Sequence, residues 1–140
     1  MKRVLLKASF RLALGILTLA AIAGAQDRED VKLVFQHPLP NVQGKSMVAV
    51  VVSYPPGGKS VAHRHAPSAF IYAYVLSGSI RSRIGDEPAK IYRAGEDFYE
   101  VPGSHHTVSE NASDQEPASI LAIFVVDSQH SDLTIPDRQQ

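Results

Sequence analysis

The stretch FIYAYVLSGSIRSRIGDEP, residues 70–88, contains the pattern that decides the fold. Two short runs, residues 70–76 and 79–84, are joined by Ser77-Gly78, and the second run ends at a turn over residues 85–88. Runs of this length are typical of strands, and glycine permits the positive φ that a tight turn requires. The stretch therefore predicts a β-hairpin followed by a second turn.

The same alternation of short runs with Gly and Pro turns continues on both sides of the hairpin. Proline cannot donate to a strand ladder, so Pro55-Pro56-Gly57-Gly58 and Pro102-Gly103 interrupt the pairing. From Gln26 onward the sequence has no convincing amphipathic helix, and it predicts an all-β domain closed as a sandwich or barrel. The further predicted strands are residues 31–35, 46–54, 60–65, 89–93, 97–101, 106–109 and 118–126.

Composition limits the functions that this domain can have. The 140 residues are 44% hydrophobic and 20% charged, which is typical of one soluble globular domain. The 14 basic and 14 acidic residues balance, which argues against a nucleic-acid partner because no broad cationic surface is available. The absence of cysteine excludes disulfides, thiolate metal sites and thiol nucleophiles. Any chemistry must therefore use histidines, carboxylates and hydroxyl groups.

The first 25 residues have the pattern of a secretory signal peptide. Four basic residues lie within the first eleven positions, an uncharged apolar run extends from Leu12 to Ala23, and Ala23-Gly24-Ala25 precedes a polar segment. The apolar run is about 12 residues long, whereas an uncleaved membrane anchor needs about 20. We therefore predict a cleaved leader over residues 1–25 and one exported domain over residues 26–140, located in the periplasm or secreted.

Histidines carry the strongest chemical signal in the sequence. Four of the six form two close pairs, His63/His65 and His105/His106, and each pair follows a Pro-Gly turn. Residues two apart in a strand point to the same face, so His63 and His65 can bind one metal ion while Arg64 turns away. His105 or His106 is then the expected source of a third ligand. The alternative is that all four are solvated loop histidines.

The histidine pairs lie within two glycine-led motifs. In the first, Gly57 precedes His63-Arg64-His65 after five intervening residues, and Gly78 closes the motif. In the second, Gly95 is followed after five residues by Val101-Pro102-Gly103, and then by His106 and Asn111. These motifs resemble those of the cupin superfamily, whose members are small jelly-roll barrels built as a double-stranded β-helix.

The resemblance implies a fold, a metal site and a range of activities. By position, His63, His65 and His106 look like the ligands of one divalent metal ion, with Fe, Zn, Ni, Cu and Mn all possible identities. His105 falls directly before a ligand and is expected to orient it or to face the substrate as a catalytic group. Small cupins include dioxygenases, isomerases and decarboxylases, and the alternative is a non-catalytic protein that binds or senses a metal or small ligand.

The sequence departs from the family pattern where the first motif should supply a glutamate ligand. That carboxylate would fall at Ala69, Phe70 or Ile71, and none of the three is acidic. Three imidazoles are then the expected metal ligands, which keep the full charge of the metal and leave positions open for water or substrate.

Glu100 is the nearest carboxylate that could compensate. It shares its strand parity with Phe98, so an inward face would bring Glu100 into the barrel near the metal, where it is a candidate catalytic residue. The alternative is that Glu100 points to solvent or pairs with Arg81 or Arg83, because carboxylates are rarely buried without a partner.

The sequence also predicts a homodimer. Residues 70–76 and 120–126 are apolar at both strand parities, although a strand of a lone small barrel needs apolar residues only on its inward face. The outward residues must be covered, either by a second copy of the chain or by the segment 26–42 together with the C-terminal tail.

Overall fold

A computed structural model describes residues 29–130 and 132–138. The predicted leader over residues 1–25 lies outside these described residues. Within them, no helix is long and apolar enough to cross a membrane. The described chain forms ten strands: β1 (Asp30–Pro38), β2 (Lys45–Tyr54), β3 (His63–His65), β4 (Phe70–Ser77), β5 (Ser79–Ile84), β6 (Lys90–Arg93), β7 (Asp97–Glu100), β8 (His105–Asn111), β9 (Ala118–Asp127) and β10 (Thr134–Pro136).

The strands form two five-stranded antiparallel sheets. The first has the order β1-β2-β9-β4-β7, and the second has the order β10-β3-β8-β5-β6. Apolar side chains from both sheets meet in the core between them; Ile80 of the second sheet, for example, packs with Val75 and Ile120 of the first. The prediction of an all-β jelly-roll barrel is confirmed.

Strand β4 shows how the sequence pattern produces the barrel. Ile71, Ala73 and Val75 are at most 2% exposed and face the core, whereas Phe70 and Tyr72 alternate with them and remain exposed on the outer surface. This two-residue period is the expected behaviour of a strand with one buried face.

The turn between β4 and β5 requires a glycine. Gly78 has a φ of +68°, and a Cβ atom placed there would lie 2.5 Å from the carbonyl oxygen of Pro117 and 2.8 Å from Cβ of Ala118. Both the backbone conformation and the close approach of a neighbouring segment therefore exclude a side chain.

The terminal strands of the described chain do not cover the apolar outer residues, which was the alternative to a homodimer. All nine residues of β1 are exposed, because β1 pairs with β2 and extends the edge of the first sheet. At the other end, β10 pairs with β3 and joins the second sheet. In the part of the chain that the structure describes, neither terminal strand covers the outer face formed by β4 and β9.

The structure differs from the predicted strands in two places. The strand expected over residues 60–65 contains only His63–His65, and β10 was not predicted. A three-residue strand that includes Pro136 has too few residues to show alternation, and β3 becomes a strand because β10 and β8 pair with it on both sides.

Candidate metal centre

Strand pairing brings three histidines together on the inner face of the second sheet. His63 and His65 lie on β3, with Arg64 exposed between them, and His63 pairs directly with His106 of β8. One ring nitrogen from each of the three histidines lies within 4.8 Å of the others. His65 and His106 are each 5% exposed, so the group lies inside the barrel, with His63 half-buried nearer its surface.

Backbone carbonyl groups orient the two imidazoles of β3. Nδ1 of His63 lies 2.7 Å from the carbonyl oxygen of Val61, and Nδ1 of His65 lies 3.2 Å from that of Leu133. A carbonyl only accepts, so each Nδ1 carries the proton and each Nε2 presents a lone pair. Burial also lowers the pKa of His63 and favours its neutral form. Neutral imidazoles held in this way are ready to bind a metal.

The Nε2 atom of His65 provides the test of whether a metal fits here. It is buried and has no hydrogen-bond partner, an arrangement that costs free energy unless the lone pair is satisfied. A divalent metal ion would satisfy this lone pair, and the surrounding donor set of imidazoles suits Fe, Zn, Ni and Cu. The residues present therefore fit a divalent metal.

Glu100 enters the same group of side chains from the first sheet. It is 3% exposed, and its Oε1 lies 3.1 Å from Nδ1 of His106 while its Oε2 lies 3.3 Å from Nε2 of His65. Burial by itself raises the pKa of Glu100, but protons on the facing ring nitrogens of His106 and His65 would outweigh this effect and lower the pKa to about 2. An ionised carboxylate at this buried position needs a positive partner, which is either a ring proton or a metal ion.

The alternative partners considered for Glu100 are engaged elsewhere. Arg81 forms an ion pair with Glu110 at 2.7 Å, and Nε of Arg83 donates to the hydroxyl of Thr107 at 2.8 Å. Glu100 shares its inward face with Phe98, which is also buried, as the strand parity required.

His105 faces the opposite side of its sheet. Its Nε2 lies 2.7 Å from Oδ2 of Asp137, and its Nδ1 lies 3.5 Å from the guanidinium of Arg64, its partner in register. Consecutive residues of a strand point to opposite faces, so a histidine next to His106 is directed away from the cavity. The expectation that His105 faces the substrate is corrected by this placement.

A cavity of about 280 Å³ opens next to the three histidines. Its walls are mostly apolar and come from both sheets, and Glu29 and Val31 at the start of the described chain also line it. The described residues that line the cavity include no lysine or arginine. The main apolar wall residues are Val50, Val52, Ile71, Phe98, Ile120 and Phe124.

A cluster of three hydroxyl groups supplies further polar atoms in the cavity wall. The hydroxyl of Tyr54 lies 2.8 Å from Oγ of Ser109 and 2.9 Å from Oγ of Ser60. Burial raises the pKa of Tyr54, so its hydroxyl stays protonated and can donate. This cluster could not be predicted from the sequence, because its members lie on separate segments and none of them is a defining residue of either motif.

Ser82 makes a further contact with the site that the sequence did not indicate. Its hydroxyl lies 2.9 Å from Nε2 of His106, and both residues are buried. The only sequence signal was the inward parity of Ser82 on β5, which cannot by itself indicate a partner on β8.

Solved structures similar to this chain share its fold. A Klebsiella pneumoniae protein with a double-stranded β-helix domain has a TM-score of 0.63 and 17% identity, over 83% of this chain and 90% of that protein. An oxalate oxidase in complex with glycolate has a TM-score of 0.59 and 22% identity, over 81% of this chain and 56% of the oxidase. An oxalate decarboxylase of B. subtilis has a TM-score of 0.54 and 24% identity, over 65% of this chain and 24% of the decarboxylase.

These identities are low, so the structural similarities show the fold and not the activity. The chain spans about half the length of the oxalate oxidase and a quarter of the decarboxylase. No curated protein matches the chain in sequence.

A family model supplies the evidence on relationship. The model described as a cupin domain matches residues 50–124, which is more than half of the 140-residue chain. The matched segment contains the three histidines and Glu100. The chain therefore belongs to the cupin domain family.

Proposed function

We propose that this chain is an exported cupin that binds one divalent metal ion through His63, His65 and His106 and acts on a small organic molecule in the adjoining cavity. The observation that carries the proposal is the buried, unpartnered Nε2 of His65, which lies among the other two imidazoles beside a cavity. When bound, the metal would supply Lewis-acid or redox chemistry of the dioxygenase, isomerase or decarboxylase kind. The oxalate oxidase and the oxalate decarboxylase share the fold of this chain, and a fold of this kind is compatible with several of these reactions without selecting one.

The cavity walls favour a small, uncharged and largely apolar substrate. A volume of about 280 Å³ is at the lower end for ligand sites, and the apolar walls would exclude water from the bound molecule. A dianion such as oxalate would find no lysine or arginine among the described lining residues, so the proposed metal ion alone would balance its charge. The Tyr54 hydroxyl cluster offers hydrogen bonds to one polar group of the substrate.

Metal analysis is the first test of this proposal. We expect protein purified from its native compartment to contain about one divalent metal per chain, and we expect His63→Ala to remove it. His37→Ala is the matched control, because His37 is an exposed histidine on β1 that the three-histidine group does not include. A His63→Ala protein that keeps its full metal content would contradict the site.

Turnover assays then separate the enzyme from a binding protein. The metal-loaded protein would be incubated with catechol, as a small neutral probe, and with oxalate, as a dianionic probe, while oxygen uptake and carbon dioxide release are recorded. Turnover of catechol in preference to oxalate supports the substrate class. Tight binding of catechol without turnover would favour the alternative, a non-catalytic protein that binds or senses small ligands.

Export is tested separately from the chemistry. We expect expression of the full chain in a bacterial host to place it outside the cytoplasm as a soluble protein whose intact mass corresponds to a chain that begins at Gln26. Its net charge would be −4, because the leader contains 4 of the 14 basic residues and none of the 14 acidic ones. A chain that retains Met1 in the membrane fraction would contradict this part of the proposal.

A further inference from the structure

We infer that Glu100 is the fourth metal ligand, and that it replaces, from the neighbouring strand, the carboxylate that the first motif lacks at Ala69, Phe70 or Ile71. This inference rests on the three-histidine metal site proposed above and completes that site. It changes the expected role of Glu100 from a catalytic group to a ligand.

Strand register places the carboxylate where the missing one would have been. Ile71 of β4 pairs directly with Glu100 of β7. The side chains of directly opposed residues in an antiparallel pair project to the same face with their Cβ atoms about 5 Å apart. Both side chains are buried, with Ile71 1% and Glu100 3% exposed. A carboxylate at either position would therefore enter the same part of the barrel.

The hydrogen bonds of the three imidazoles identify the nitrogen that each one leaves for a metal. His63 and His65 use Nδ1 to contact a backbone carbonyl oxygen, and His106 uses Nε2 to contact the hydroxyl of Ser82. The remaining nitrogens are Nε2 of His63, Nε2 of His65 and Nδ1 of His106. Both contacts of Glu100 are to members of this second set. The carboxylate therefore faces the lone pairs rather than the anchored side of the rings.

The distances from Glu100 to His65 and His106 match those between ligands that share a metal. Ligand atoms about 2.1 Å from a metal and separated by angles of about 90–110° lie roughly 3.0–3.4 Å apart. The two contacts of Glu100, at 3.1 Å and 3.3 Å, fall in this range.

The Glu100 carboxylate also leaves a polar atom unsatisfied. Its Oε2 and the Nε2 of His65 are both buried without a hydrogen-bond partner, and they face each other. Two acceptors in such contact repel unless a proton or a metal ion lies between them, and a metal ion would satisfy both atoms at once. Three neutral imidazoles and one carboxylate would leave a divalent site with a net charge of +1.

Cobalt binding tests this inference through the ligand field and not through activity. Co(II) would be titrated into metal-free wild-type protein and into Glu100→Gln, which keeps the shape and an acceptor oxygen but removes the charge. We expect Glu100→Gln to bind Co(II) at least tenfold more weakly and to change the visible absorption bands. Glu110→Gln is the matched control, because Glu110 pairs with Arg81 away from the three histidines, and it should leave the bands unchanged.

A double variant that moves the carboxylate from β7 to β4 gives a second measurement. The test then does not depend on the folding of a single variant. We expect the double variant Ile71→Glu/Glu100→Ile to regain cobalt bands that Glu100→Ile alone has lost. Bands of Glu100→Gln identical to those of the wild type would overturn the inference, whatever the affinity. A wild-type protein that binds no Co(II) would instead contradict the three-histidine site itself, so the two failures are distinguishable.

Discussion

Hydrogen bonds to the main chain determine which ring nitrogen of His63 and of His65 carries a proton. His65 is held by the carbonyl oxygen of Leu133 and His63 by that of Val61, so the main chain fixes which lone pairs point inward. The inward direction of His63 and His65 could be predicted from their spacing, because strand parity is a local property. The partners of the rings could not be predicted, since Leu133 and Ser82 are brought close only by the packing of distant strands.

The two adjacent histidines of β8 should respond differently to removal. We expect His106→Ala to abolish stoichiometric metal binding, because His106 faces the other two imidazoles, whereas His105→Ala should retain most of the metal, because His105 contacts Asp137 on the outer side. Metal content per chain measured by mass spectrometry checks both variants. The opposite pattern would mean that β8 is shifted by one residue.

Gly78 should be one of the least tolerant positions for folding. We expect Gly78→Ala to lower the free energy of unfolding by about 2 kcal/mol or more, because the new Cβ combines backbone strain with a contact to Pro117. Gly57→Ala is the matched control, because Gly57 also has a positive φ, +70°, but no atom lies within 4 Å of its added Cβ. Urea unfolding should show a smaller loss for the control, and equal losses would contradict the steric argument.

At the scale of strands, the candidate centre depends on the pairing of β3 with its neighbours. With three residues, β3 cannot form a strand alone, and β10 and β8 hold it on either side. The longer strands could be predicted, because their alternation and their Gly and Pro turns are visible in sequence. The start of β3 and the existence of β10 could not, because both depend on pairing between segments about 70 residues apart.

Removal of β10 should therefore weaken metal binding. We expect a chain that ends at residue 132 to bind Co(II) about tenfold or more weakly, because it loses both the pairing partner of β3 and the Leu133 carbonyl that orients His65. A chain that ends at Pro136 keeps both and serves as the control. Similar affinities in the two truncated chains, measured by titration, would show that β10 does not support the site.

At the scale of the whole molecule, apolar surface remains on the outside of the barrel. Phe70 and Tyr99 stack on each other with their ring centroids 5.8 Å apart, yet they are 42% and 65% exposed. Tyr72 and Leu76 add to the same sheet face, and the described terminal strands leave it uncovered. Exposed apolar patches of this kind are usually interaction sites, which keeps the homodimer as our prediction.

Charge placed on this face should disrupt the predicted dimer. We expect the chain from Gln26 onward to sediment as a dimer at micromolar concentration, and Tyr99→Glu to shift it toward monomer because a carboxylate would be desolvated in the interface. Lys90→Glu, an exposed change on β6 of the other sheet, is the control. A wild-type chain that stays monomeric at high micromolar concentration would exclude the dimer.

His106 is far in sequence from the pair His63/His65, and this has a consequence for a chain without cysteine. A metal bound to His63 and His106 would close a loop of 43 residues, the difference between the two positions, and would act as a reversible cross-link where a disulfide is impossible. A ligand present at a hundred times its Kd stabilises the folded state by about 2.7 kcal/mol. We therefore expect EDTA to lower the unfolding temperature of the wild-type protein but not that of His63→Ala, as scanning calorimetry can measure. The metal supply of its surroundings would then set how long the folded chain survives heat and proteases.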